Sequence, residues 1–470
     1  MWYFRTRTRT ATKLRSSSCD ERKRVMTTTR GPLFDPTFGA AAAAALVSDQ
    51  AWVTAMLDTE AALSRAAAEH GVVESAHAAQ VTEVASELRR PGAVNIVHLG
   101  ALSAAGGNPV IPLVKLLRAA AAEHGVPGSA VHPGATSQDI VDTALMLLTS
   151  RVLAAVRESL ADAVAAGAAL ARRHRDTPVA ARTLGQQALP TTFGAVAASW
   201  TAGLLRADDD LARVEASASV QFGGAAGTSA AVFPHGFEVA DSLADQLGLA
   251  RQTIPWHTDR TRIGEIASAL GIAAGAIGKP ALDITLLAST EVAEVSEAAP
   301  GASSAMPHKQ NPVAAVAARA ASVRVPGLVS TILSAMAHDH QRASGAWHAE
   351  WETLTDLLRL TAGAADRLAV SMSGLRANPD AMARNLAATH GLLLAERVTT
   401  ALAAHTDDAR SIVTAACASG LPLESDSSIT AFLEPAEVRE LLDPAGYLGH
   451  AGDIVDRVLD LVRARHEGTA

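Results

Sequence analysis

Cysteine is nearly missing from this chain. Two in 470 residues, Cys19 and Cys417, cannot build a disulfide framework and lack metal-ligand spacing, so a reducing compartment, the cytoplasm, is expected. Positive charge is not in excess either: 40 Lys and Arg stand against 48 Asp and Glu, for a net charge of -8. That balance gives no electrostatic case for nucleic acid or an anionic membrane as partner, and an anionic ligand would have to be held by local cations. No uninterrupted apolar run reaches the roughly 18 to 20 residues of a spanning helix. Glycine-rich phosphate and dinucleotide patterns are absent, aromatic residues make up 3%, and alternating strand patterns are scarce.

What is abundant is apolar residue at helical spacing. Val141, Leu145, Leu148, Val152, Val156, Leu160, Val164, Gly167 and Leu170 recur by threes and fours, which predicts one long helix. Thr136 with Asp139 three residues on fits a capping box, and Asp176-Thr177-Pro178 supplies the stop. The helix spans about 39 residues, or about 58 Å. Comparable runs at 191–217, 258–298, 312–337 and 346–372 predict an all-α protein. Small residues such as Ala155, Ala163 and Gly167 allow close helix contact on more than one side, so the long helices are expected to form a bundle that continues across subunits. A chain of this length needs more than one domain. The expected units are a helical domain at 33–126, the bundle at 127–375 and a C-terminal helical domain at 376–470. Residues 1–32, rich in Arg, Ser and Thr, read as a disordered extension rather than a transit peptide, because Asp20 and Glu21 interrupt them.

Four polar segments interrupt the helical background, each at a helix end: GNPVIP (107–112), HPGATSQD (132–139), ARTLGQQALPTTFG (181–194) and GASSAMPHKQNPV (301–313). Helix N-termini present unpaired N–H groups and a positive dipole end, which suit carboxylates. Capping is the ordinary explanation for any one Ser or Thr in such a place. Four segments together point to an anionic ligand.

GASSAMPHKQNP resembles the signature loop of the fumarase/aspartase superfamily, usually G-S-S-x-M-P-x-K-x-N-P, here with Ala302 in the entry. HPGATSQDIVDTAL and ARTLGQQALPTTFG are similar to two further conserved regions of that superfamily. AGGNPVIPLV, QFGGAAGTSA, GAWHAEWETLTDLLRLT and GYLGHAGDIVDRVL resemble its branch of carboxymuconate cycloisomerases, enzymes of aromatic catabolism in the protocatechuate branch of the β-ketoadipate pathway. The likeness runs over most of the chain from Leu33 onward.

The resemblance implies a three-domain all-α fold, with a central long-helix bundle forming the core of a homotetramer whose active sites are shared between subunits. It implies no metal, nucleotide or redox cofactor. The implied reaction adds one carboxylate of a tricarboxylate substrate across a conjugated double bond, giving a lactone. By position in the signature, 298–313 is a mobile lid, Ser303 is the proton-transfer group with Ser304 beside it, and Lys309 and Asn311 bind the carboxylate and stabilise the carbanion. Asn108, Thr136, Ser137, Gln138, Arg182 and Arg342 are the further binding candidates, the two arginines because a guanidinium grips a carboxylate with two bonds. His132 and Gln187 complete that set.

Two departures bear on chemistry. Related succinyl lyases carry a histidine where this chain has Leu184, and the cycloisomerase branch commonly has one where it has Gln187, which cannot exchange a proton near neutral pH. A lyase acting on a succinyl substrate, akin to adenylosuccinate lyase, is the second expectation. A silent helical scaffold is the third.

Overall fold

A computed structural model describes residues 33–38, 41–301, 305–306 and 308–468. The proposed extension at 1–32, and Ser303 and Ser304, lie outside the described residues. The chain opens with α1 (Asp35–Phe38), α2 (Ala41–Leu46), α3 (Asp49–Glu69), α4 (Ser75–Leu88), α5 (Ile96–Gly106) and α6 (Val110–Glu123). The predicted long helix is α7 (Ser137–Arg173), 37 residues and so about 55 Å long. A hairpin of β1 (Pro178–Thr183) and β2 (Gln186–Thr192) leads into α8 (Phe193–Ala216), followed by α9 (Gly236–Leu247) and α10 (Thr261–Leu287). Next come β3 (Val295–Glu297), α11 (Val313–Ala335), α12 (Ala346–Ser373) and β4 (Leu375–Ala377). The last helices are α13 (Pro379–Ala387), α14 (Ala395–Leu402), α15 (Ala409–Ser419), α16 (Ser427–Thr430), α17 (Pro435–Leu441) and α18 (Ala451–Gly468).

Contacts along α7 fix the direction of its neighbours. Arg260, just before α10, and Trp347, at the start of α12, both hydrogen-bond Asp142 in the first turns of α7. A Cβ placed on Gly167, far along α7, would meet Thr201 of α8 and Met372 at the end of α12. So α7, α10 and α12 run together, while α8 and α11 run back. The bundle therefore has a head, where α7, α10 and α12 begin, and a tail, where they end. Its core is built from residues such as Leu160, Phe193, Leu270, Val325 and Leu358, all fully buried. A second apolar cluster joins α3 to α6 with α9 and the start of α7 at the head, and a third sits within α14 to α17.

Four features depart from the sequence reading. The segment 181–194 is mostly the β1–β2 hairpin, with Leu184 and Gly185 at its tip in left-handed conformation (φ 52° and 81°) and Phe193 and Gly194 already in α8. The helix predicted to run on to 298 stops at Leu287, and β3 pairs instead with β4. The last helix, α18, leaves the C-terminal cluster and joins the bundle core through Ala451, Val455 and Val458. Finally, α10 and α11 are long and apolar enough to cross a membrane by composition, which a search for uninterrupted runs misses. Both belong to the bundle, each with one face packed on it and another exposed: α10 contacts α8, α11 and α12, and α11 contacts α10 and α12.

Candidate active site

At the head, the loop entering α7 is held from all sides. His132 takes a left-handed backbone (φ 63°), and its Nδ1 lies 2.7 Å from the carboxylate of fully buried Glu60 on α3. Burial pulls the His132 pKa down, but the charge and hydrogen bond of Glu60 outweigh it, and the net direction is up. Asp139 accepts from the Thr136 amide at 2.9 Å, and the Thr136 side chain meets the Asp139 amide in return, the two halves of the predicted capping box. The same carboxylate accepts from the amides of Gly223 and Gly224 at 3.0 and 2.9 Å, and meets His257 Nε2 at 2.6 Å. Only glycine fits at these two positions: a Cβ on Gly223 would sit 2.7 Å from Pro255, and one on Gly224 2.7 Å from the Gly134 carbonyl.

The binding candidates from the sequence gather around this frame. Gln138 is fully buried, and its amide is spent inside the protein. It donates to Asp142 and to the His257 carbonyl, and accepts from Arg342 at 3.0 Å. Arg342 also donates to the carbonyls of Gly224 and Ala225. Asn108 caps α6 through the amides of Val110 and Ile111, and His348 at the start of α12 reaches the neighbouring Gly107 carbonyl at 3.0 Å. Asn108, His132, Thr136, Ser137, Gln138 and Arg342 thus share one end of the bundle.

Beneath them lies a buried ion cluster that sequence reasoning missed. Arg260, fully buried, is held in two-pronged contacts by Asp142 and Glu350 at 2.5 to 3.2 Å. Burial lowers its pKa, and the two carboxylates more than reverse that, so the guanidinium stays charged. His338 Nε2 approaches Glu350 at 3.2 Å. The residues are scattered over α7 (Asp142), the approach to α10 (Arg260), the connection before α12 (His338) and α12 itself (Glu350), and no local spacing signals that they meet.

The remaining candidates are at the tail. Arg182 on β1 forms a two-pronged ion pair with buried Glu294 at 2.6 and 2.9 Å. Asn385 of α13 donates to the same Glu294, while Gln187 donates to the Asn385 carbonyl. The signature loop is pinched at its base by the pairing of Gly301 with Asn311, and Lys309 is exposed on it. The start of α11 does not offer its amides to a ligand: Glu297 accepts from Ala314 and Ala315, and is itself held by Ser371 at 2.6 Å. Head and tail candidates are separated by the length of α7, so one chain does not bring them together.

A cavity of about 610 Å³ lies beside the head, bounded among others by Trp52, Val141, Trp351 and Pro109, the neighbour of Asn108.

Comparison with known proteins places this arrangement. A family model described as Lyase matches residues 35–327. A 3-carboxy-cis,cis-muconate cycloisomerase of Bradyrhizobium diazoefficiens is 42% identical over 93% of this chain and 99% of its own. A nitrosuccinate lyase of Streptomyces davaonensis is 41% identical, over 91% and 94%. The crystal structure of the 3-carboxy-cis,cis-muconate lactonizing enzyme from Pseudomonas putida superposes with a TM-score of 0.86 at 39% identity, covering 92% of this chain and 99% of that one. With its long-helix bundle, its signature loop at the tail and similarity along nearly its whole length, the chain belongs to this lyase family of the fumarase/aspartase superfamily.

Proposed function

We propose that this protein closes 3-carboxy-cis,cis-muconate to a carboxymuconolactone. The observation that carries the reading is end-to-end similarity to cycloisomerases of that name, 42% over 93% of the chain, with the four polar segments at the two ends of the bundle. One substrate carboxylate is ionised at neutral pH and needs no base to attack. Its oxygen forms the C–O bond to one alkene carbon, and the electron pair moves onto the adjacent carbon and into the carboxylate there. Ser303 delivers the proton to that carbon, and Lys309 and Asn311 stabilise the developing dianion and the serine alkoxide. At the head, Thr136, Ser137, Asn108 and Arg342 hold the other carboxylates, with Gln138 orienting Arg342 from behind. His132 positions the loop through Glu60. Arg182 and Gln187 brace the hairpin against α13 and so shape the tail half-site.

Such a site requires the head of one bundle to meet the tail of another. Support comes from apolar side chains left exposed on the long helices, Ile272 and Leu286 on α10 and Val316, Val323 and Leu333 on α11. Exposed stripes of this kind suit helix packing against further copies, and a homotetramer is the assembly proposed. The reading includes the three units at 33–126, 127–375 and 376–470, the last of which returns α18 to the bundle core, together with cytoplasmic location and a role in protocatechuate breakdown. Loss of the diene's ultraviolet absorption on adding purified protein tests it. A second reading, elimination from a succinyl substrate, is favoured by the Streptomyces relative; release of fumarate without diene loss would select it.

A further inference from the structure

The cavity beside the head is lined by Trp52, Met56, Ile96, Leu99, Val141 and Trp351, and nothing in the proposed reaction uses it. Its size falls within the range of small-molecule sites, and its wall is the apolar kind that such sites present. The wall comes near the carboxylate-binding end of α7: Val141, which lines it, stands four residues after Ser137, hence on the same helix face one turn along. Pro109, which follows Asn108, closes another side. The lining decides what could enter. Among the described residues, Asp35, Asp49 and Glu352 border the cavity, and so does the guanidinium of Arg359, which is paired with Asp35 and Asp356. A wall that is mostly apolar suits an uncharged ring better than a further carboxylate, which would have to give up its water there.

We infer that this cavity is a subsite for an uncharged aromatic or bulky apolar substituent on a dicarboxylate whose charged end is held at the start of α7. The inference rests on the proposed carboxylate site and extends it to ligands larger than a muconate. Ring burial against this wall favours the substituted ligand by at least about tenfold in affinity.

Calorimetry on the full chain with succinate and 2-benzylsuccinate tests this directly. Wild type is expected to bind benzylsuccinate at least about tenfold tighter than succinate. Gly100 and Ser103 border the cavity three residues apart on α5, and a Cβ on Gly100 meets nothing within 4 Å. The double variant Gly100→Leu/Ser103→Leu should therefore bring the two affinities together while leaving carboxymuconate turnover unchanged. Equal wild-type affinities, no binding of either anion, or a benzyl preference that survives in a folded double variant would each overturn the subsite. Normal carboxymuconate turnover without a benzyl preference removes the subsite alone; a benzyl preference without turnover keeps it and removes the cycloisomerase reading.

Discussion

Arg260 shows how much of the head depends on single side chains. With Asp142 and Glu350 both buried around it, removing the guanidinium leaves two carboxylates without a counter-charge. Arg260→Leu is expected to cost about 3–5 kcal/mol, read as a shift in the urea midpoint; a shift under about 1 kcal/mol would show that the cluster is compensated elsewhere. His132 makes a smaller, pH-dependent contribution. Its folded pKa is raised above the ordinary value near 6.5. The stabilisation by its pairing with Glu60 is therefore complete below that value and is lost as pH rises through the raised one. Melting curves between about pH 6 and about pH 9 should show wild type losing more stability than His132→Gln across that range; parallel losses would contradict the pairing. Ser303 carries the proposed chemistry, and Ser303→Ala should lower kcat by orders of magnitude with the melting temperature unchanged. Near-normal turnover would remove it from the mechanism.

At the scale of elements, legibility in the sequence tracked locality. The start of α7 could be read because Thr136 and Asp139 lie within one turn, and its length because apolar spacing continues to Leu170. The hairpin could not, because its pairing joins residues as far apart as Pro178 and Thr192 and its tip uses Leu184, a residue ill suited to positive φ. The end of α10 was missed for the same reason: ASTEVAEVSEA keeps helical spacing, and only the distant partner Leu375–Ala377 draws it into a strand. The motifs located the candidate residues, but nothing in them told that Gln138 and Arg182 are already engaged by protein partners. Leu184 offers a test at this scale. Left-handed backbone costs a leucine about 1–2 kcal/mol, and the side chain is fully exposed in the chain. Leu184→Asn should raise the unfolding free energy of the unassembled chain by about 1 kcal/mol, since asparagine tolerates this conformation; a fall in the urea midpoint would contradict it.

On the scale of the whole molecule, the two sets of candidate residues lie towards opposite ends of α7, a helix of 37 residues and so about 55 Å long. The proposed chemistry needs both, and the exposed apolar faces of α10 and α11 offer the means of bringing a second copy alongside. Complementation between chains therefore tests the central claim. Lys309→Ala removes an exposed tail residue and Arg342→Ala a head residue, and each homogeneous variant should fail to consume the diene of 3-carboxy-cis,cis-muconate. After mixing the two under mild denaturant and reassembly, part of the wild-type absorbance loss should return, because some sites then draw an intact head and an intact tail from different chains. No recovery in a reassembled mixture, with wild type treated in the same way fully active, would contradict a site shared between chains.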